Sequence, residues 1–239
     1  MSDRYPRIRL YNTHCKERYL WIRDCVNLTL YVQRPHAEIV RPVMHAMDVF
    51  RREVGPQALS LYLDYEGDWY KLDDKGWEFI RESSQDPHAA RIGLSGDSDE
   101  FYAYEFLYQG LSTEDIEQGE SSLVTFSLPT ECLEEHGPGR VRELALELAA
   151  GLPFTSGHAG LSFVMSEHLL NIRTLIRDDI FRYPGMDVPY SSASLDIGNR
   201  VKGAYWLTFL GQPVLGELGG VAGLRARLHS PGTPLCQGS

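Results

Sequence analysis

The stretch Val26-Asn27-Leu28-Thr29-Leu30-Tyr31-Val32-Gln33, followed at once by Arg34-Pro35, decides the fold. Apolar and polar residues alternate along it, the period of a strand with one buried face, and the proline stops it. Beyond Pro35 the spacing predicts a helix over 36–53, because Ile39, Val43, Met47 and Phe50 fall on one face of a 3.6-residue period and Gly55-Pro56 closes it. A second strand over 58–63 follows. The same order of strand, proline turn, helix, Gly/Pro stop and strand returns roughly 97 residues later, as a strand over 123–128, Pro129, a helix over 139–150 with Val141, Leu144, Ala145 and Leu148 inward, Gly151, Pro153, and a strand over 159–165.

Between the copies, 64–72 is turn-rich, Asp73 is placed to cap a short helix carrying Trp77, Phe79 and Ile80, 101–108 reads as an aromatic strand and 112–121 as a loop. After them come a helix over 167–179, an irregular stretch through Pro184 and Pro189, a strand over 204–210 and a Gly-rich tail. The expected fold class is α+β: a mixed or antiparallel sheet with flanking helices, formed by two split β-α-β halves (20–110 and 120–228) within one domain spanning 1–239.

The chain of 239 residues is 43% hydrophobic and 23% charged, a globular balance, with no run of about 18 apolar residues that would span a bilayer and no signal-peptide core at its start. The expected compartment is the cytoplasm. Cys15, Cys25, Cys132 and Cys236 lie far apart without a C-x-x-C pair, the pattern of free thiols. Net charge is −10, but it is uneven: from Asp64 to Glu120 sixteen acids face four bases, −12, while the other 17 acids and 19 bases leave +2. Such a surface disfavours nucleic acid and membrane as direct partners and favours a basic protein. The acidic loops Asp97, Asp99, Glu100 and Glu114, Asp115, Glu117, Glu120 are one candidate partner surface. Asp64, Glu66 and Asp68 beside Trp69 form a second.

Catalytic signatures are missing from the sequence. Gly216, Gly219, Gly220 and Gly223 follow G-x-x-G-G-x-x-G, not the dinucleotide fingerprint, and there is no P-loop or G-x-S-x-G elbow. The eight histidines show no H-E-x-x-H and no close pair, so neither metal nor cofactor is expected; His158 and His168 could meet only through tertiary structure. Trp206, in an apolar stretch, is expected in the core, while Trp69 and Trp77 are divided between core and interface.

Two stretches carry a family resemblance. Tyr62-Leu63-Asp64-Tyr65-Glu66-Gly67-Asp68-Trp69-Tyr70-Lys71-Leu72-Asp73 with Gly76-Trp77-Glu78-Phe79-Ile80-Arg81 is similar to a Y-x-D-x-x-G-x-W, L-D and W-x-x-I-R pattern. Phe181-Arg182-Tyr183-Pro184-Gly185-Met186-Asp187 and, further on, Lys202-Gly203-Ala204-Tyr205-Trp206-Leu207-Thr208 are similar to R-Y-P-G and K-G-x-x-W-L-T segments. Together they resemble the bacterial type VI secretion immunity family associated with VRR-NUC nuclease toxins, over residues 25–228. The resemblance implies an antitoxin, a cytoplasmic protein that binds a cognate nuclease and occludes it without turnover. A nuclease presents a basic cleft to phosphates, so the acidic segment fits that partner. An enzyme with a pocket illegible in sequence, or a binding module in a secretion assembly, stand as the alternatives.

Overall fold

A computed structural model describes residues 5–11, 20–97, 103–165, 172–188 and 195–228. Its centre is β2 (Leu20–Val32), a strand of 13 residues. Val26, Leu28, Leu30 and Val32 point to one side and are buried, as their alternation predicts. The opposite face is not solvated, however: Cys25, Asn27, Thr29 and Tyr31 are buried as well. Burial of Asn27 and Thr29 is tolerated because they bond to each other and to β7. Asn27 Nδ2 donates to Ser127 Oγ (3.0 Å) and Thr29 Oγ1 to Asn27 Oδ1 (2.6 Å).

β2 pairs antiparallel with β7 (Ser122–Pro129) on one side and β8 (Ser156–Met165) on the other, and β1 (Arg9–Tyr11) also pairs with its first residues. The sheet grows outward through β6 (Glu105–Gly110), β5 (Ala90–Ser95), β3 (Leu61–Leu63) and β4 (Trp69–Lys71), and past β8 to β9 (Leu207–Leu210). The nine strands among the described residues pair antiparallel, in the order β4-β3-β5-β6-β7-β2-β8-β9 with β1 alongside.

One face is covered by α1 (His36–Val54), α2 (Asp74–Gln85) and α5 (Gly137–Ala150), whose apolar stripes join the inward residues of the strands in one core. The boundaries follow local chemistry. Asp73 accepts from the backbone N–H of Lys75 (3.0 Å) and Gly76 (3.1 Å), and Gly55, at φ 86°, ends α1. Short helices fill the connections: α3 (Thr113–Glu117), α4 (Glu131–Glu135), α6 (Ile172–Leu175), α7 (Arg177–Arg182), α8 (Val214–Glu217) and α9 (Gly220–Arg227).

The fold class is α+β with split β-α-β units, but one unit is not where the strand pattern puts it. β7-α5-β8 encloses β2, as the second copy requires. The first copy, β2-α1-β3, crosses three strands instead, and the matching split unit is β4-α2-β5 around β3. The cause is two short strands that periodicity passes over: β4 lies within the turn-rich 64–72, and β5 has Arg91 and Gly93 interrupting its apolar pattern. Other expectations shift too. The aromatic strand begins at Glu105, the 112–121 loop contains α3, the helix over 167–179 becomes α6 and α7 with 166–171 outside the described residues, and the Gly-rich tail holds α8 and α9.

Gly157 of β8 faces Leu30 across the ladder, and a Cβ there would lie 2.7 Å from the Thr29 carbonyl oxygen and 2.6 Å from Leu30 Cδ2. Gly157→Ala is expected to destabilise the fold by about 1–3 kcal/mol, read as a lower denaturant midpoint with an unchanged m-value.

Candidate partner-binding site

The β3–β4 hairpin is built around Asp64. Its Oδ1 accepts from the backbone N–H groups of Glu66 and Asp68, both at 2.9 Å, and Gly67 sits at φ 93°, a left-handed conformation that other residues adopt at a cost. Tyr62 packs on Tyr70 (6.1 Å between centroids) and Phe79 (5.2 Å), and the absence of a Cβ at Gly76 lets α2 approach that ring, since a Cβ would lie 2.7 Å from Tyr62 Cδ1. Tyr65 leans on Phe79 at 4.6 Å and shares a 3.2 Å hydrogen bond with Ser83 Oγ, yet its residue stays 72% exposed. Tyr70 is 50% exposed, and the charges of Asp64, Asp68 and Glu66 raise its phenol above the ordinary value. Glu66 and Asp68 are exposed and Trp69 is half-buried.

At α3, Ser112 and Asp115 cap each other. Ser112 Oγ accepts from Asp115 N–H (3.2 Å) and the Asp115 carboxylate accepts from Ser112 N–H (3.1 Å), so Asp115 is spent on the helix. Glu114 and Glu117 are exposed and Glu120 is half-buried. Asp97 is exposed where β5 ends, while Asp99 and Glu100 lie outside the described residues. The strand directions separate these groups. β3 and β6 run the same way, so the hairpin turn and α3 lie toward one end of the sheet; Asp97 lies at the other, a β6 length of roughly 20 Å away.

A second cluster was invisible in sequence. His158 on β8, Asp187, Lys202 and Tyr205 converge on the sheet face away from α1, α2 and α5. Asp187 Oδ2 meets His158 Nε2 at 3.1 Å and accepts from Lys202 Nζ at 2.8 Å, and Tyr205 OH donates to Asp187 Oδ1 at 3.2 Å. The His158 ring, 3% exposed as a residue, stacks between Tyr205 (4.2 Å) and Tyr31 (5.9 Å). Asp187 is also sewn to β8 by its backbone, donating to Leu161 O at 2.8 Å and accepting from Ser162 Oγ at 3.1 Å. Asp187 closes the R-Y-P-G-M-D stretch, and Lys202 and Tyr205 belong to K-G-A-Y-W-L-T, so both C-terminal stretches fasten to the sheet at one carboxylate.

A His–Asp pair is also the base half of a hydrolytic triad, but the free ring nitrogen, Nδ1, is buried with no hydrogen-bonding partner among the described residues. His168 lies outside the described residues. Among the described residues, no group of three or more His, Cys, Asp or Glu side chains is arranged to hold a metal. By its bonds the cluster joins the segments of Asp187, Lys202 and Tyr205 to β8. Trp206, expected in the core, is 45% exposed: β9 is an edge strand, and the indole sits at its start, over an apolar crevice lined by Val141, Leu144 and Ala145 of α5.

Fold and site together describe an α+β protein whose buried polar cluster fastens its own chain and whose turns hold carboxylates and rings outward. The chain belongs to the TsiV family, type VI immunity for VRR-NUC, whose model matches residues 42–238. Among solved structures it is similar to the Pseudomonas aeruginosa T6SS protein PA0821, with a TM-score of 0.72 and 23% identity over 89% of this chain and 62% of that one. The chain thus spans less than two thirds of that protein's length, and at this identity the likeness concerns the fold. A comparison with curated proteins returned no match. No helix among the described residues is long and apolar enough to cross a membrane.

The joint has a pH signature. Burial alone would raise the Asp187 carboxyl, but the hydrogen bonds from His158 and Lys202 and their charges outweigh it and hold the group down to about 2, against 3.8 ordinarily. A depressed folded value means that the contribution, about 2 kcal/mol, is complete above the unfolded value near 4 and drains away as pH falls toward 2. Asp187→Asn is expected to lower stability at neutral pH and to flatten the stability profile between pH 4 and 2, measured by denaturant titration across that range.

Proposed function

We propose that this chain is an immunity protein that binds a cognate VRR-NUC nuclease toxin of a type VI secretion system and occludes its access to DNA. Family membership over residues 42–238 carries the reading. The charge distribution supports it: a nuclease displays basic side chains to phosphates, and a segment of net −12 is complementary to such a cleft. On this reading the protein works in the cytoplasm as one domain, by stoichiometric binding without turnover and without a cofactor or metal. It makes no direct contact with nucleic acid or membrane.

The toxin-facing residues are drawn from Asp64, Glu66, Asp68, Trp69, Asp97, Asp99, Glu100, Glu114, Asp115, Glu117 and Glu120. We assign them two roles from their surroundings. Asp64 and Asp115 are engaged in their own turn and cap, so they supply charge, whereas Glu66, Asp68, Glu114 and Glu117 are exposed for contact. Exposed carboxylates facing a basic cleft speed association more than they strengthen the final complex, and the effect fades as salt is added.

Mixing the purified chain with the nuclease encoded beside it is expected to yield a stable complex with nanomolar or tighter affinity and to abolish DNA cleavage at about equimolar ratio. Calorimetry and a plasmid-nicking assay read both. Turnover of a small substrate by the isolated chain, with cleavage by the nuclease untouched, would overturn the proposal.

A further inference from the structure

Among the described residues, the free edge of the sheet beyond β3 is the short strand β4. Asp64 N–H donates to Asp68 O (3.0 Å) and Leu72 N–H to Ser60 O (2.7 Å), which fixes the alternation of this antiparallel pair. Tyr70 bonds inward, and the backbone groups of Trp69 and Lys71 turn away from β3. Lys71 O is taken by Asp73 N–H at 3.0 Å, leaving the Trp69 N–H and C=O and the Lys71 N–H directed outward. Above and beside this edge stand two of the most uncovered rings of the molecule, Tyr65 and Tyr70, with Glu66 and Asp68 between them.

We propose that this edge, with Tyr65 and Tyr70 flanked by Glu66 and Asp68, docks an extended segment of the nuclease that carries arginine or lysine. The inference rests on the immunity reading above and names the footprint within it. Three physical features select that occupant. An open strand edge pairs with extended backbone and little else. An exposed tyrosine face beside carboxylates suits a guanidinium or ammonium group, which stacks on the ring and pairs with the acid. The molecule already uses this contact internally, with the Arg51 guanidinium 4.3 Å from the Trp77 ring centroid. Third, the turn is preformed by Asp64 and Gly67, so little order has to be created on binding.

The local field agrees with a cationic partner, since three carboxylates together raise the Tyr70 phenol. Bases stand nearby too, Lys71 on β4 itself and Arg91, whose Nη1 would lie 4.0 Å from a Cβ at Gly67, but Asp64, Glu66 and Asp68 outnumber them along the hairpin. α3 lies toward the same end with Glu114 and Glu117 exposed, but it offers no strand edge and no uncovered ring, so its role is confined to long-range attraction.

The test uses the full chain and its neighbouring nuclease, with affinity and association rate measured at two salt concentrations. Three hairpin variants separate the parts: Glu66→Gln with Asp68→Asn removes charge, Tyr70→Ser removes a ring, and Lys71→Pro removes an outward N–H without touching a bond to β3. Each is expected to weaken binding more than tenfold while leaving the thermal midpoint within about 3 °C of the parent, and the charge variant is also expected to lose most of the salt dependence of association. Glu114→Gln with Glu117→Gln is expected to slow association slightly and leave dissociation unchanged. Tight binding by the parent with parental affinity in all three hairpin variants would overturn the docking edge and leave the immunity reading standing. An equal loss in the α3 variant would reduce the hairpin to general charge attraction and overturn it too. If the parent chain fails to bind the nuclease, both readings fall together.

Discussion

Everything in this fold depends on β2 being buried on both faces. A strand packed beneath helices on one side is ordinary; one whose polar residues are also shut away from water must find partners for them nearby. Asn27, Thr29, Ser127 and Thr125 answer to one another across β2 and β7, and the paired register that brings them opposite is the same one that sets Val26, Leu28 and Leu30 against α1 and α5. A slip of one residue would place the hydroxyls and amide in the apolar core and the aliphatic groups on the polar side. The central register is therefore fixed twice over, and the connections β7-α5-β8 around β2 follow from it.

Asp187 extends the same logic to the C-terminal third of the chain. The segments around Asp187 and Lys202 contribute little regular structure, and hydrophobic burial there is modest, confined to a small cluster with Ile22, Phe163, Ile176 and Met186. A charge-assisted joint to His158 and Lys202, plus two backbone links to β8, supplies what packing does not. Near the start of β2 a comparable arrangement ties β1 and α4 together: Glu131 accepts from Arg7 (2.9 Å), Arg9 (2.7 Å) and Arg23 (2.6 Å), and buried Asp24 pairs with Arg9. The sheet is thus packed by its helices on one face and clasped by side-chain ion pairs on the other and at the start of β2.

The elements legible in the sequence were those with enough repeats of one period to outvote their neighbours. Ile39, Val43, Met47 and Phe50 mark α1, and Val141, Leu144, Ala145 and Leu148 mark α5, and all of them are buried. β4, with three residues, offers no period at all, and β5 has a solvent-facing Arg91 and a Gly93 packed against Leu63. α3 hid among residues usually assigned to loops, although Ser112 and Asp115 at capping-box spacing were a signal open to reading. Trp206 misled because an apolar run says nothing about whether its strand is central or at an edge. The acidic segment was legible as charge, but not its division between the two ends of the sheet, which depends on strand direction. The Asp187 joint had no local signal, since its partners stand 29, 15 and 18 residues away.

The hairpin turn at Asp64 is held by backbone N–H groups of Glu66 and Asp68, not by their side chains. Every residue except proline supplies that donor. The frame of the turn and the side chains it displays are therefore chemically independent: positions 66 and 68 can change size, polarity or sign of charge while Asp64 and Gly67 keep the same shape. With the docking edge proposed above, a lineage of such chains could be re-addressed from one partner to another by rewriting a few side chains, with the frame of the turn left undisturbed.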